Sequence, residues 1–148
     1  MTAARRCSSA SPIALASRAK SGHSALVTIT VPEFVDLLTQ SCPETLPIVA
    51  EHLTDNDNEV LLHILIADVR RFSIERFEDH DTAVLRRCLD VVARGLTDGD
   101  EHVENAVAVS FVEDTGWWEP LMQPFMATWP APLRDEAERQ RKWRPGDA

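Results

Sequence analysis

The sequence predicts an all-α fold of about six helices, arranged as a compact stack of antiparallel helix pairs that resemble HEAT or ARM helical hairpins. Two observations support this prediction. Apolar residues recur at spacings of three and four in successive stretches of the chain, as they do on the buried face of a helix. Short polar or proline-containing segments separate these stretches, and helices joined by short connections pack mainly as antiparallel neighbours.

Two short helices are predicted at the start of the folded region. The first spans about residues 31–41, because Thr30 and Glu33 have the spacing of a capping box. Pro43 disfavours helical geometry in the residue before it and so separates this helix from the next. Thr45 is expected to cap the second helix, which ends before the polar cluster TDNDN, a composition typical of a loop.

The two longest helices follow. The third is predicted at about residues 59–78, with Asn58 or Asp57 as its cap, and its apolar residues cover more than one face, which predicts a central position. Asp81 is expected to cap the fourth helix. This helix has the clearest amphipathic pattern of the chain, formed by Val84, Leu85, Cys88, Leu89, Val92 and Leu96.

A fifth helix is predicted from Glu101 to about Glu113, with Asp100 as its cap. The string AVAVSFV inside it also alternates as a strand would, but a single buried strand would lack partners for its backbone groups. We therefore favour a helix. A short piece at about 121–129 and a charged helix at about 132–143 complete the prediction.

Composition and charge divide the chain of 148 residues into three segments. We expect residues 1–27 to be a disordered or mis-assigned extension, residues 28–130 to be the helical domain, and residues 131–148 to be a charged helix and tail. The first segment is rich in Ala and Ser and carries four basic and no acidic residues, so a transit peptide is a third interpretation. Residues 33–119 contain 20 acidic residues against six arginines, a net charge of −14.

Charge and hydropathy exclude two classes of partner. No apolar run approaches the ~18 residues that a membrane-spanning helix needs. The net charge of −9 repels phosphate backbones, so we expect no nucleic-acid partner. The three cysteines are an odd number without a CxxC pair, which indicates neither a zinc site nor a disulfide framework and favours a cytoplasmic location.

Motifs for catalysis or cofactor binding are missing from the sequence. It contains no GxSxG, no SxxK, no glycine-rich phosphate loop and no metal-binding pair of histidines. Asp55, Asp57 and Glu59 begin like an EF-hand loop, but Val60 replaces its glycine and Ile66 its final glutamate. We therefore expect no metal, no cofactor and no catalytic residue, which favours a protein that is not an enzyme.

Four residues attract attention by their chemistry. Trp117 and Trp118 concentrate aromatic area in an irregular segment, as binding hot spots do, although they could instead seal the end of the helical stack. Asp68 and Asn105 are polar residues within apolar stretches. An unpaired buried polar group costs about 1–3 kcal/mol, so each needs a partner or a cleft, and an arginine from a neighbouring helix is the expected mate of Asp68.

Three stretches resemble a family of small, uncharacterised bacterial proteins, a domain of unknown function. They are VPEFV at 31–35, the segments EHL, DNEVLLH and ADV within 47–69, and ENAVAVSFVE at 104–113. The resemblance covers about residues 28–130. It implies an all-helical bacterial domain without an established activity.

The resemblance supplies no catalytic residues, but it adds Glu113 to the candidates. Asp68, Asn105 and Glu113 all lie in the matching stretches. Together with Trp117 and Trp118 they are the predicted binding residues.

Three functions are compatible with these observations. The first is a non-catalytic acidic protein-binding module with a basic partner, by analogy an immunity-type protein whose partner is a nuclease toxin. The second is a small-ligand or metal-binding enzyme with a site between adjacent helices, formed by His63, Asp68, Asn105 and Glu113, or by His63, Asp68 and His102 around a metal. The third is a structural domain that forms a homodimer through the tryptophan segment.

Overall fold

Seven α-helices account for most of residues 28–143, the part of the chain that the computed structural model describes. The predictions for residues 1–27 lie outside it. The all-α class is therefore confirmed, and about six helices was close to the observed number. The helices are α1 Val31–Ser41, α2 Leu46–Asp55, α3 Leu62–Glu78, α4 Thr82–Asp98, α5 Glu101–Ala106, α6 Gln123–Met126 and α7 Ala131–Lys142. A π-helical segment, Val107–Glu113, continues α5, and 3₁₀ turns at Pro43–Thr45 and Pro120–Met122 precede α2 and α6.

The start of α1 is the predicted capping box. The backbone N–H of Thr30 donates to Glu33 Oε1 (2.9 Å), and the backbone N–H of Glu33 donates to Thr30 Oγ1 (3.4 Å). Thr45 occupies the N-cap position of α2, as predicted, but its side chain makes no capping hydrogen bond, since its hydroxyl donates backwards to the carbonyl of Cys42 (2.7 Å). Thr45 is fully buried there and ties α2 to the end of α1.

The predicted start of α3 is wrong, since this helix begins at Leu62 and not near residue 59. The N-cap position of α3 belongs to Leu61, so neither Asp57 nor Asn58 caps the helix, and both adopt left-handed geometry with φ values of 56° and 64°. The backbone N–H of Leu61, at the helix N-terminus, donates to His52 Nε2 (3.0 Å). A buried side chain of α2 therefore satisfies one of the backbone N–H groups that have no partner within α3.

The helix α4 lies at the centre of the core. All six residues of its predicted apolar stripe are buried. The helix contacts α1, α3, α5, α7 and the π-helical segment. Asp81 precedes α4 as predicted, but its side chain makes no capping hydrogen bond, and its carboxylate lies 3.7 Å from Arg76 Nη1 instead.

The fifth helix is helical over its whole predicted length, and the string AVAVSFV forms π-helical turns within it. Asp100 is its cap, as expected, because Asp100 Oδ1 accepts a hydrogen bond from the backbone N–H of Val103 (2.9 Å). The last helix, α7, packs on α4 and on the π-helical segment through the fully buried Leu133. None of the described helices has both the length and the apolar character needed to cross a membrane.

Candidate functional site

Three of the five predicted binding residues line one surface concavity of about 520 Å³ between the π-helical segment and α7. We call it the tryptophan surface. The three are Glu113, Trp117 and Trp118. The remaining lining residues are Ala108, Val109, Glu136, Gln140 and Trp143.

A chain of hydrogen bonds fixes Trp117 in this surface. Trp117 Nε1 donates to Gln140 Oε1 (2.9 Å), and Gln140 Nε2 donates to the carbonyl of Ala108 (3.0 Å). The Trp117 and Trp118 rings meet edge to face, with centroids 5.1 Å apart. Gly116 makes the turn into this pair at φ 79°, a conformation that favours glycine. Trp117 is therefore held in place by α7 and in turn supports Trp118.

The neighbours of Trp117 leave a large aromatic area open to solvent. Trp118 is 55% exposed and Trp143 is 74% exposed. Glu113 is exposed too, and no cation within residues 28–143 forms an ion pair with it. Glu136, by contrast, is buried and paired with Arg139. The concavity thus offers aromatic faces beside one free carboxylate, a combination that suits a cationic or apolar side chain.

A second concavity of about 700 Å³, which we call the histidine groove, contains another of the predicted residues, Asn105. His63, His102 and the half-exposed Ile64 also line it. His63 Nδ1 lies 2.8 Å from the hydroxyl of Ser110, in the π-helical segment. Asn105 is exposed rather than buried in an apolar environment, because α5 turns Val103 and Ala106 towards the core instead.

Asp68 lies outside both concavities. Its partner is Arg71, one turn further along α3, and not an arginine of a neighbouring helix as expected. The four residues of the enzyme hypothesis therefore do not line one cavity. His63 and Asn105 share the histidine groove, while Glu113 belongs to the tryptophan surface.

No set of metal ligands is found in the described residues, and this includes His63, Asp68 and His102. Cys42 and Cys88 pack together in the core, where both are fully buried. A hydrogen bond from its partner lowers the pKa of Cys42, and the same bond together with burial raises the pKa of Cys88 well above its usual value. Cys88 is a core residue, as its position on the apolar stripe predicted.

Sequence reasoning missed Gln140 and Trp143. Both belong to residues 131–148, which the sequence analysis predicted to be a charged helix and tail. A tryptophan and an uncharged glutamine among so many charges are a weak signal for a contact surface, and only the packing of α7 brings them to Trp117.

Comparison with known proteins places the chain in one family. No curated protein and no solved structure matches it. A family model described as a domain of unknown function, DUF7674, matches residues 35–144. This match includes α7 and every residue of the tryptophan surface, and extends beyond the region that the sequence resemblance indicated. Since the match covers well over half of the chain, the protein belongs to the DUF7674 family.

Proposed function

We propose that this domain is a non-catalytic protein-binding module of the cytoplasm, whose tryptophan surface receives a basic protein partner. The observation that supports it best is the exposure of Trp118 and Trp143 around the free carboxylate of Glu113. Tryptophan is enriched among the residues that dominate binding energy at interfaces. A cation over an indole face gains about 0.5–1 kcal/mol at exposed sites and more when desolvated.

The charge of the domain adds a long-range reason for a basic partner. Neither residues 21–69 nor residues 95–133 contain a single lysine or arginine. The second segment includes Val109, Glu113, Trp117 and Trp118 of the tryptophan surface. A negative field of this extent accelerates encounter with a basic protein and makes the association sensitive to salt.

The most specific form of the proposal is an immunity-type protein of a bacterial toxin system. A nuclease toxin carries a basic surface for its phosphate backbone, and an acidic binder complements such a surface. A toxin gene directly upstream of the gene for this protein would favour this form over other basic partners.

The test is affinity capture from the native host with the full chain as bait, at about 0.1 M and about 1 M salt, where the Debye length is about 10 Å and about 3 Å. We expect retention of one basic protein, identified by mass spectrometry, with less retention at high salt. Trp118→Ala should reduce retention at least about tenfold, since hot-spot truncation costs about 2 kcal/mol or more.

Leu121→Ala is the matched control. Leu121 is 89% exposed and lies outside the tryptophan surface, so its truncation removes apolar area without touching the proposed contact. Both variants should unfold at the temperature of the natural chain. Equal retention by Trp118→Ala, or capture of acidic proteins only, would overturn the proposal. Light scattering that finds a dimer dissociated by Trp118→Ala would replace it with homodimerisation.

A further inference from the structure

A third concavity, of about 550 Å³, shares Trp117 and Trp118 with the tryptophan surface. We call it the arginine concavity. Its other lining residues include Met126, Arg134, Ala137 and Arg141, and none of these four lines the tryptophan surface. The two tryptophans therefore form a ridge between neighbouring concavities, which we call the tryptophan ridge.

The helix α7 contributes a different face to each concavity. The arginine concavity contains Arg134, Ala137 and Arg141, and the tryptophan surface contains Glu136, Gln140 and Trp143. Within each set the residues recur at spacings of three and four, so each set lies on one face of the helix. At 3.6 residues per turn, the two faces point in directions about 130° apart. A partner that covers the tryptophan ridge therefore reaches both faces of α7.

Hydrogen bonds hold the tryptophan ridge from both concavities. In the tryptophan surface, Gln140 Oε1 accepts the indole N–H of Trp117 (2.9 Å). In the arginine concavity, Gln123 Nε2 donates to the backbone carbonyl of Trp117 (2.9 Å). Trp117 is thus fixed through its side chain and its backbone, and Trp118 packs on it edge to face. Because the ridge is already in place, a partner loses little affinity to the ordering of these side chains.

The unpaired charges on the two sides of the ridge have opposite signs. In the arginine concavity, Arg141 is paired with Glu138 at 2.6 Å. Arg134 is exposed there and forms no ion pair among residues 28–143. In the tryptophan surface, the unpaired charge is the carboxylate of Glu113. Trp118 therefore lies between one uncompensated cation and one uncompensated anion.

These two charges discriminate between kinds of partner segment. A segment with basic residues on both sides of the ridge pairs with Glu113 but brings a cation towards Arg134, and like charges in contact lower affinity. A segment with one basic and one acidic residue pairs with both. Charge complementarity thus selects the second kind of segment and fixes the direction in which it crosses the ridge.

We propose that the tryptophan ridge binds an apolar segment of the basic partner that carries a cationic residue on the Glu113 side and a carboxylate on the Arg134 side. This inference rests on the function proposed above and adds Arg134 as a residue that determines specificity. The apolar residues of the segment cover Trp118, and Met126 adjusts to their shape because its side chain is flexible. The planar donors of Arg134 match the geometry of a carboxylate.

The test is selection from a library of random dodecapeptides displayed on phage, with the full chain as bait. Peptides that bind the natural chain but not Trp118→Ala should combine apolar residues with one basic and one acidic residue. Selection on Arg134→Glu should replace the acidic residue of these peptides by a basic one, because the charge that it meets is reversed.

Synthetic copies of the selected peptides then test the contact with Arg134 directly. Arg134→Gln should weaken binding about threefold, as expected for a charge pair at the edge of an interface. Exchange of the acidic residue of the peptide for its amide should weaken binding to the natural chain by the same factor and leave binding to Arg134→Gln unchanged. Arg86→Gln is the matched control, since Arg86 is an exposed arginine without an ion pair among the described residues and lies outside both concavities.

The outcomes separate this inference from the function on which it rests. Peptides that depend on Trp118 and carry basic residues alone would overturn the inference and leave the basic partner in place. The absence of any peptide that depends on Trp118 would count against both. Equal losses in Arg134→Gln and Arg86→Gln, or an acidic residue that contributes equally with and without the Arg134 guanidinium, would also overturn the inference.

Discussion

The α4–α5 turn and the α2–α3 loop differ in the interactions that hold their flanking helices together. In the turn, Gly99 fits where nothing larger does, because a Cβ atom there would lie 2.3 Å from the carbonyl oxygen of Gly95. Ile29 secures the turn from outside through two backbone hydrogen bonds of 2.8 Å, one to Asp98 and one from Asp100. In the loop, backbone hydrogen bonds link Asn56 and Asn58 to the carbonyl of Leu53. One buried side chain, His52, also accepts the backbone N–H of Leu61.

This difference indicates where the domain tolerates change. The turn is fixed by the close fit of Gly99 against Gly95 and Val103 and by its two hydrogen bonds to Ile29. The loop is held by several hydrogen bonds, of which the one between His52 and Leu61 spans the most residues, and its Val60 and Leu61 line the histidine groove. A substitution in the turn therefore meets a steric obstacle, whereas one in the loop removes a hydrogen bond.

The largest loss of folding stability is expected from Gly99→Ala. The new methyl group would clash with backbone of α4 and would lie 2.6 Å from Val103 Cγ1, so α5 would have to move. Overpacking of this kind costs typically 1–3 kcal/mol, and we expect about 3 kcal/mol because the obstacle is backbone. Urea unfolding followed by circular dichroism measures this loss.

Thr97→Ala is the control, since Thr97 is exposed two residues earlier and surface changes of this kind stay within about 0.5 kcal/mol. If Gly99→Ala were as stable as the natural chain, the turn would have room for a methyl group. The contrast between the α4–α5 turn and the α2–α3 loop would then not hold.

The same contrast explains what the sequence could and could not predict. The bounds of α1 and the buried face of α4 depend on local capping and on periodicity, which a sequence displays directly. The start of α3 does not, because His52 and Leu61 are brought together by tertiary packing. The polar string before α3 has the composition of a cap, but two of its residues adopt left-handed geometry.

The same distinction applies to the tryptophan surface, where some residues are neighbours in sequence and others meet only through tertiary packing. Glu113, Trp117 and Trp118 are close in sequence and lie in one concavity, although the sequence analysis grouped Glu113 with Asp68 and Asn105 rather than with the tryptophans. Gln140 and Trp143 reach the same concavity only because α7 folds back onto the π-helical segment. No residue pattern displays that contact. Asp68 and Asn105 carried the polarity expected of a site but lie elsewhere on the surface.

We expect a smaller loss of stability from His52→Ala, which removes a hydrogen bond of the α2–α3 loop and leaves the α4–α5 turn unchanged. His52 is 3% exposed, and its loss leaves the N–H of Leu61 without an acceptor. We expect destabilisation of about 1–3 kcal/mol, the usual cost of an unsatisfied partly buried donor. Hydrogen exchange should show faster exchange of the Leu61 amide than of amides in α4.

His52→Gln offers an amide oxygen at a similar reach and should recover part of the stability. His102→Ala, an exposed histidine of the same groove, should change neither stability nor the Leu61 amide. An unchanged exchange rate for the Leu61 amide in His52→Ala would show that His52 does not protect this amide.

The smallest effect on stability is expected at the ion pair between Glu44 and Arg87. This pair connects the segment between α1 and α2 to α4. The guanidinium meets both carboxylate oxygens, at 3.0 Å and 3.1 Å, and lowers the pKa of Glu44 from 4.5 to about 2. Both side chains are about two-fifths exposed, at 43% and 40%, so solvent and salt screen the pair and its contribution is small.

The lowered pKa sets the pH range in which this contribution acts. A carboxyl group whose pKa is lower in the folded state stabilises the fold above its unfolded value of 4.5, and the contribution disappears as the pH falls towards 2. The urea midpoint of Glu44→Gln should therefore lie slightly below that of the natural chain at pH 7, and the gap should narrow steadily below pH 4.5. Glu51→Gln, an exposed glutamate of α2 without an ion pair among residues 28–143, is the control. A gap of the same size at every pH would assign the effect of Glu44 to packing and leave steric fit and buried hydrogen bonds as the devices that fasten the helices.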